Sequence, residues 1–148
     1  MFLSFLQSLL RSSRLGEGVA WNRLSIAAGE SLVVEGEVGR SLFVVEGGRF
    51  AVLGRAQLQD QSTVEVCLAE LTAEDVFGES SLIGDYASIA TVRALAAARV
   101  IEINGAMLMV YLDDHPEQGY LFFKYLLAVE LERLARSHAR TIRSASLP

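Results

Sequence analysis

Between Ser31 and Ile103 the chain never runs far without a turn signal. Short apolar runs, SLVV, SLFVV, FAVL, VEVCL, IATV and RVIEI, are punctuated by glycines at positions 29, 36, 39, 47, 48 and 54. Runs rich in β-branched and aromatic residues between glycines read as strands, and six or more of them in succession read as a sandwich or barrel. In STVEVCL the alternation is regular. Val64, Val66 and Leu68 face one way and Thr63, Glu65 and Cys67 the other, which predicts a half-buried strand with Cys67 as a small, partly buried side chain.

After Ile103 the period changes. Asn104 is placed to cap a short helix in NGAMLMVYLDD. DDHPE restarts the chain, with Pro116 in the first turn of a second helix and Glu117 at its positive end. From there to about Arg143 only Gly119 weakens the helical pattern. Tyr120, Phe123, Leu127, Leu131, Leu134 and His138 fall on one face. The first half of this helix is apolar nearly all round and needs more than one covering surface. The second half keeps a narrow stripe flanked by Glu130, Glu132, Arg133 and Arg136. Two readings follow: the helix packs within its own chain, or it runs past the body to form a homodimer or meet a protein partner. His138 interrupts the stripe, so such a contact is expected to be modest and pH-sensitive.

At the other end, Phe2, Leu3, Phe5, Leu6, Leu9 and Leu10 of MFLSFLQSLLRSSRL form a short amphipathic pattern. It has neither the basic start nor the cleavage site of a targeting signal, and it is too short to span a bilayer. It is expected to pack on the body or on a partner. Arg11 and Arg14 alone offer little attraction to a membrane surface.

Composition narrows the function. Thirteen basic and 18 acidic residues give a net charge of −5. Nucleic-acid binding needs a basic face and is not expected, although Arg133 to Arg143 is locally positive. One cysteine excludes an internal disulfide and fits a reducing, cytoplasmic setting. His115, His138 and Cys67 are too few and scattered to hold a metal. GESSL superficially matches an esterase elbow, but Leu82 stands where that elbow needs glycine and the strands are consecutive. No catalytic residue is assigned, and the chain is read as a non-enzyme.

The order helix, β-strands, short helix, long helix, with these glycines, resembles the cyclic nucleotide-binding domain over about Leu24 to Leu134. AAGESLVVEGEVGRSLFVVEGGRFAV is similar to that family's opening strands, with Gly29, Gly36, Gly39 and Gly48 at its turns. LAELTAEDVFGESSLIGDYASIATVRA is similar to its phosphate-binding cassette, with Phe77-Gly78-Glu79 and Ala90-Thr91-Val92 at the family's own separation. The resemblance implies a mostly β fold with flanking helices, a double-stranded β-helix (jelly-roll-like β-roll). It divides the chain into an N-terminal helical segment at 1–23, the β-roll at 24–115 and a C-terminal helix and tail at 116–148.

The cassette's residues suit a ligand. Gly78 lets backbone approach closely, and Glu79 can accept from sugar hydroxyls. Ser80 to Ile83 can form a turn with free N–H groups, to which Ser80 and Ser81 add hydroxyls. With Ser88, Ile89, Ala90 and Thr91 these make the candidate binding set, and the family implies cyclic AMP or cyclic GMP as ligand. In the family a Pro-Arg pair precedes Ala-Thr-Val and supplies the positive partner of the phosphate. Here those positions are Ala87 and Ser88, and Glu74 stands where the family prefers glycine. A charge-assisted contact is worth about 1.5–3 kcal/mol and more when desolvated, so its loss weakens binding by ~10- to 1000-fold. Arg40 and Arg93 are the cations that could enter from elsewhere, but Arg93 alternates with Val92 and Ala94 and reads as a solvent-facing strand residue.

Two functions are therefore expected in competition. One is a regulatory module whose cyclic nucleotide binding is weak, altered or lost. The other is a structural module that docks or dimerises through its terminal helices without nucleotide. LERLARSHARTIRSASLP also resembles the end of the domain fused to bacterial sulfate-permease-type transporters, which implies membrane contact only through a membrane-protein partner. Within these 148 residues no helix-turn-helix, kinase or channel follows the long helix.

Overall fold

The computed structural model describes residues 2–12 and 14–146, with side chains up to Ala139. Leu147, Pro148 and the side chains of Arg140 and Arg143, part of the basic tail, lie outside the described residues. Helix α1 (Phe2–Leu10) is followed by strands β1 (Trp21–Ile26), β2 (Ser31–Val33), β3 (Ser41–Gly47), β4 (Phe50–Gln57) and β5 (Thr63–Leu71). Then come β6 (Val76–Phe77), a 3-10 turn at Glu79–Leu82, β7 (Thr91–Ala94), β8 (Ala98–Asn104), α2 (Gly105–Asp114) and α3 (Pro116–Ser146).

The strands form two four-stranded sheets, ordered β1-β8-β3-β6 and β2-β7-β4-β5. Every strand pairing in them is antiparallel. This is the β-roll with three helices that the glycine pattern and the resemblance imply. Each of the six apolar runs holds a strand. Strands β1 and β6 are additions. In β1 only Ile26 is fully buried, because this edge strand pairs only with β8, so its apolar signal is thin.

Strands β3 and β8 carry apolar residues on both faces because both faces are covered. Phe43, Val45 and Val100 point between the sheets with Phe50, Phe77 and Val92. Leu42, Val44, Ile101 and Ile103 point the other way, onto Leu6 and Leu9 of α1, Leu108 and Leu112 of α2, and Phe122 and Leu126 of α3. Asn104 caps α2 as expected, its Oδ1 accepting from the Met107 N–H at 2.9 Å. Helix α1 packs on the body through Phe2, Leu6, Leu9 and Leu10, and the Phe2 ring lies 5.5 Å from that of Phe122.

The half-buried reading of β5 is corrected. Val64, Val66 and Leu68 are exposed, and so are Thr63, Glu65 and Cys67 on the opposite face. Alternation reports that a strand has two faces, not that either is covered, and β5 is the outer strand of its sheet. Among the described residues no helix is long and apolar enough to cross a membrane.

Candidate functional site

The cassette begins where the chain leaves β5. Glu74 adopts φ 77, the left-handed region that favours glycine, and its N–H donates to the Val45 carbonyl at 2.8 Å. A non-glycine residue there carries roughly 1 kcal/mol of strain. The Val45 N–H in turn donates to the Asp75 carbonyl at 2.9 Å, which clamps the cassette entry to β3. Strand β6 extends that clamp, pairing Val76 and Phe77 with Val44 and Phe43. Gly78 follows at φ 84. A Cβ there would stand 2.5 Å from the Ser41 carbonyl oxygen and 3.3 Å from the Phe43 ring. The close approach that needs glycine is therefore first of all an approach to β3.

The far limb of the cassette is tied to the loop between β2 and β3. The Gly36 N–H donates to the Ser88 carbonyl at 2.8 Å, and the Ser88 N–H donates to the Glu37 carbonyl at 2.9 Å. Between the limbs, at the open end of the inter-sheet space, lies a cavity of about 240 Å³. Leu32, Val33 and Phe43 give it an apolar wall, and Ser41, Ser80 and Ser88 line it with Gly78. Its charged lining residues are Arg40 and Glu102. Glu102 accepts from the Ser41 hydroxyl at 3.0 Å.

The candidate residues divide. Gly78, Ser80 and Ser88 share the cavity. Ser81 turns inward, its hydroxyl donating to the Gly78 carbonyl at 2.7 Å. Ala90 accepts from the Ser88 hydroxyl at 2.7 Å, and Ile89 is 91% exposed. Thr91 faces a different groove, where its Oγ1 accepts from the Glu35 N–H at 3.0 Å. Arg93 lines that second groove too. It binds Glu65 through two contacts of 2.7 and 3.1 Å and donates to Ser31, so it is held by an acid rather than free in solvent.

Glu79 turns away from the cavity toward α3. Arg133 Nη1 donates to Glu79 at 2.6 Å, and Arg133 Nη2 donates to the Val76 carbonyl. Only about a fifth to a quarter of either side chain is exposed, at 21% for Arg133 and 25% for Glu79. Glu130 also accepts from Arg133, at 3.4 Å. The expected place of Glu130 and Arg133, flanking an outward seam, is corrected: both lie on the side of α3 that meets the cassette. The stripe residues Leu127, Leu131 and Leu134 face outward instead, at 59%, 57% and 65% exposure. Sequence reasoning missed Arg133 as a site residue. Its spacing from Phe122, Leu126 and Glu130 places all four on one helix face, and that was the available signal.

Burial, then the charge of Glu79 and hydrogen bonding to it, push the Glu130 carboxyl up to about 7, while Arg133 offsets part of the rise. An unfolded glutamate titrates near about 4.3. The folded state therefore holds an extra proton between those values. That contribution is fully present below the unfolded value and is lost as pH rises through about 7. Because Glu130 is 43% exposed, solvent screening limits the effect to about 1 kcal/mol. Glu130→Gln, which mimics the protonated form, should match the wild type near pH 4, below the unfolded value, and exceed its stability by about 1 kcal/mol at pH 8. Urea denaturation at both pH values checks this, and an equal difference at both would contradict it.

Comparison with known proteins places this geometry among relatives. A family model described as "Cyclic nucleotide-binding domain" matches residues 23–115. A stretch of 77 residues, 51% of the chain, is 38% identical to cGMP-dependent protein kinase, isozyme 1, of Drosophila melanogaster, and spans only 9% of that kinase. A cyclic nucleotide-binding domain from Methylobacillus flagellatus superposes with a TM-score of 0.74 at 20% identity, covering 87% of this chain and 70% of that one. The c-di-GMP responsive global regulator of Xanthomonas campestris gives a TM-score of 0.74 at 16% identity, over 99% of this chain and 66% of that one. At these identities the structural likenesses establish the fold.

Proposed function

The chain belongs to the cyclic nucleotide-binding domain family, and from that premise we propose a regulatory module in which a cyclic nucleotide and helix α3 compete for Glu79. The observation that carries this reading is the ion pair from Arg133 to Glu79. In the family this glutamate meets the ligand's sugar. Here α3 engages it, so a ligand whose hydroxyls take Glu79 must break the Arg133 contact and loosen the helix. The module carries no chemistry of its own, and its output is a change in what α3 presents. With Ser88 at the position of the family's arginine, ligand binding is weakened and altered. The exposed free thiol of Cys67 supports a reducing, cytoplasmic setting.

Hydrogen exchange tests the competition. With millimolar cyclic AMP or cyclic GMP, backbone amides around Glu130 to Leu134 should exchange faster than without nucleotide, because the latch is released. Unchanged or slower exchange there would overturn the reading.

A second reading, assembly through α3, is favoured by the outward stripe of Tyr120, Leu127, Leu131 and Leu134. Helix α3 is about 46 Å long, and among the described residues the buried ones on it end at Leu126. Glu132 and Arg136 border the stripe with opposite charges, which suits a second copy of the chain. At ~100 μM, a concentration at which modest helix pairing is populated, the wild type should run as a dimer by sizing with light scattering, and Leu131→Glu as a monomer. A monomeric wild type would assign the stripe to another protein.

A further inference from the structure

Arg40 stands at the cavity that holds the serine in place of the missing cation. It ends the loop between β2 and β3, and its position is fixed from three sides. Ser41 after it begins β3. Its carbonyl accepts the Gly105 N–H at the start of α2, at 3.0 Å. The loop before it is bridged to the cassette, Val38 opposite Ala87 and Glu37 bonded to Ser88. Arg40 therefore lines the same cavity as Ser80 and Ser88, and the loop that carries it is hydrogen-bonded to the cassette limb.

The other charges near the sheets are largely committed. Arg93 is paired with Glu65, Arg55 with Glu35 and Arg49 with Glu70. Glu102, the acid of the cavity, bonds Ser41. Among the described residues the Arg40 guanidinium has no ion pair or hydrogen bond. A cation without a counter-ion, lining the same cavity as Ser41, Ser80, Ser88 and an apolar wall, suits a small anion with an apolar body. The apolar wall of Leu32, Val33 and Phe43 suits the carbon framework of a nucleotide, and the cation suits its phosphate.

We infer that Arg40 supplies the positive partner that position 88 lacks, so that the cavity takes the phosphate of a cyclic nucleotide from the β2–β3 loop rather than from the cassette. This rests on the reading of the cavity as a nucleotide site. An exposed arginine is weaker than a desolvated one, so affinity stays modest and falls with salt.

Calorimetric titration with cyclic AMP and cyclic GMP tests it on four proteins: the wild type, Arg40→Gln, Arg93→Gln and Arg40→Gln with Ser88→Arg. Thermal unfolding confirms that each is folded. Arg40→Gln should lose at least tenfold in affinity, Arg93→Gln should bind as the wild type does, and adding Ser88→Arg should restore binding. Equal affinity in the wild type and Arg40→Gln overturns the role of Arg40 and leaves the nucleotide site standing. Binding by the Arg40→Gln, Ser88→Arg protein and by none of the other three likewise overturns that role and keeps the site. No binding by any of the four at millimolar nucleotide overturns both the role and the site.

Discussion

Gly78→Ala should destabilise the domain by about 2–5 kcal/mol, a fall of roughly 5–20 °C in Tm for a chain of this size. Two costs add. At φ 84 an alanine sits in the left-handed region, at roughly 1–2 kcal/mol. Its Cβ would also meet the Ser41 carbonyl at 2.5 Å, and that oxygen belongs to a sheet strand that cannot swing aside. Forcing such a contact typically costs about 1–3 kcal/mol. Gly29 separates the two effects. It has φ 87 with nothing within 4 Å of a built Cβ, so Gly29→Ala should show the conformational cost alone. Thermal unfolding of both variants gives the comparison. Equal losses would mean that the cassette yields, and that Gly78 does not fix it to β3.

The resemblance and the glycines carried most of the fold. The six apolar runs became strands, Asn104 capped α2, and Pro116 opened α3. What escaped was what depends on cover rather than pattern. Strand β1 hides behind Asn22, Arg23 and Ser25, and β5 alternates without a facing layer. Helix α3 shows the same limit. Its most regular leucine stripe faces outward, while the face on the body is mixed: Phe122 and Leu126, then Glu130 and Arg133. A leucine repeat stands out in sequence, whereas a charged pair buried against another element does not.

For the candidate site, spacing indicated which cassette residues lie together but not what they contact. Gly78, Ser80 and Ser88 share a cavity. Glu74 stands in the left-handed region of the backbone, which favours glycine. Spacing could not show that Thr91 faces another groove, that Glu79 is bound by a helix more than fifty residues away, or that Arg40 lines the cavity. Those facts depend on how loops cross, which local periodicity does not encode.

The latch carries the second large effect. A charge-assisted contact between partly buried groups is worth about 1.5–3 kcal/mol. If Arg133 holds Glu79 away from the ligand, Arg133→Met keeps the side chain's apolar stem and removes the competitor. Cyclic nucleotide affinity should then rise by about 10- to 100-fold, because each ~1.4 kcal/mol is tenfold. The direct measurement is calorimetric titration of wild type and Arg133→Met with cyclic AMP and cyclic GMP under the same salt and pH. Tighter binding by Arg133→Met is the result expected of a ligand-released latch. Equal or weaker binding, or none by either protein at millimolar nucleotide, would contradict competition for Glu79.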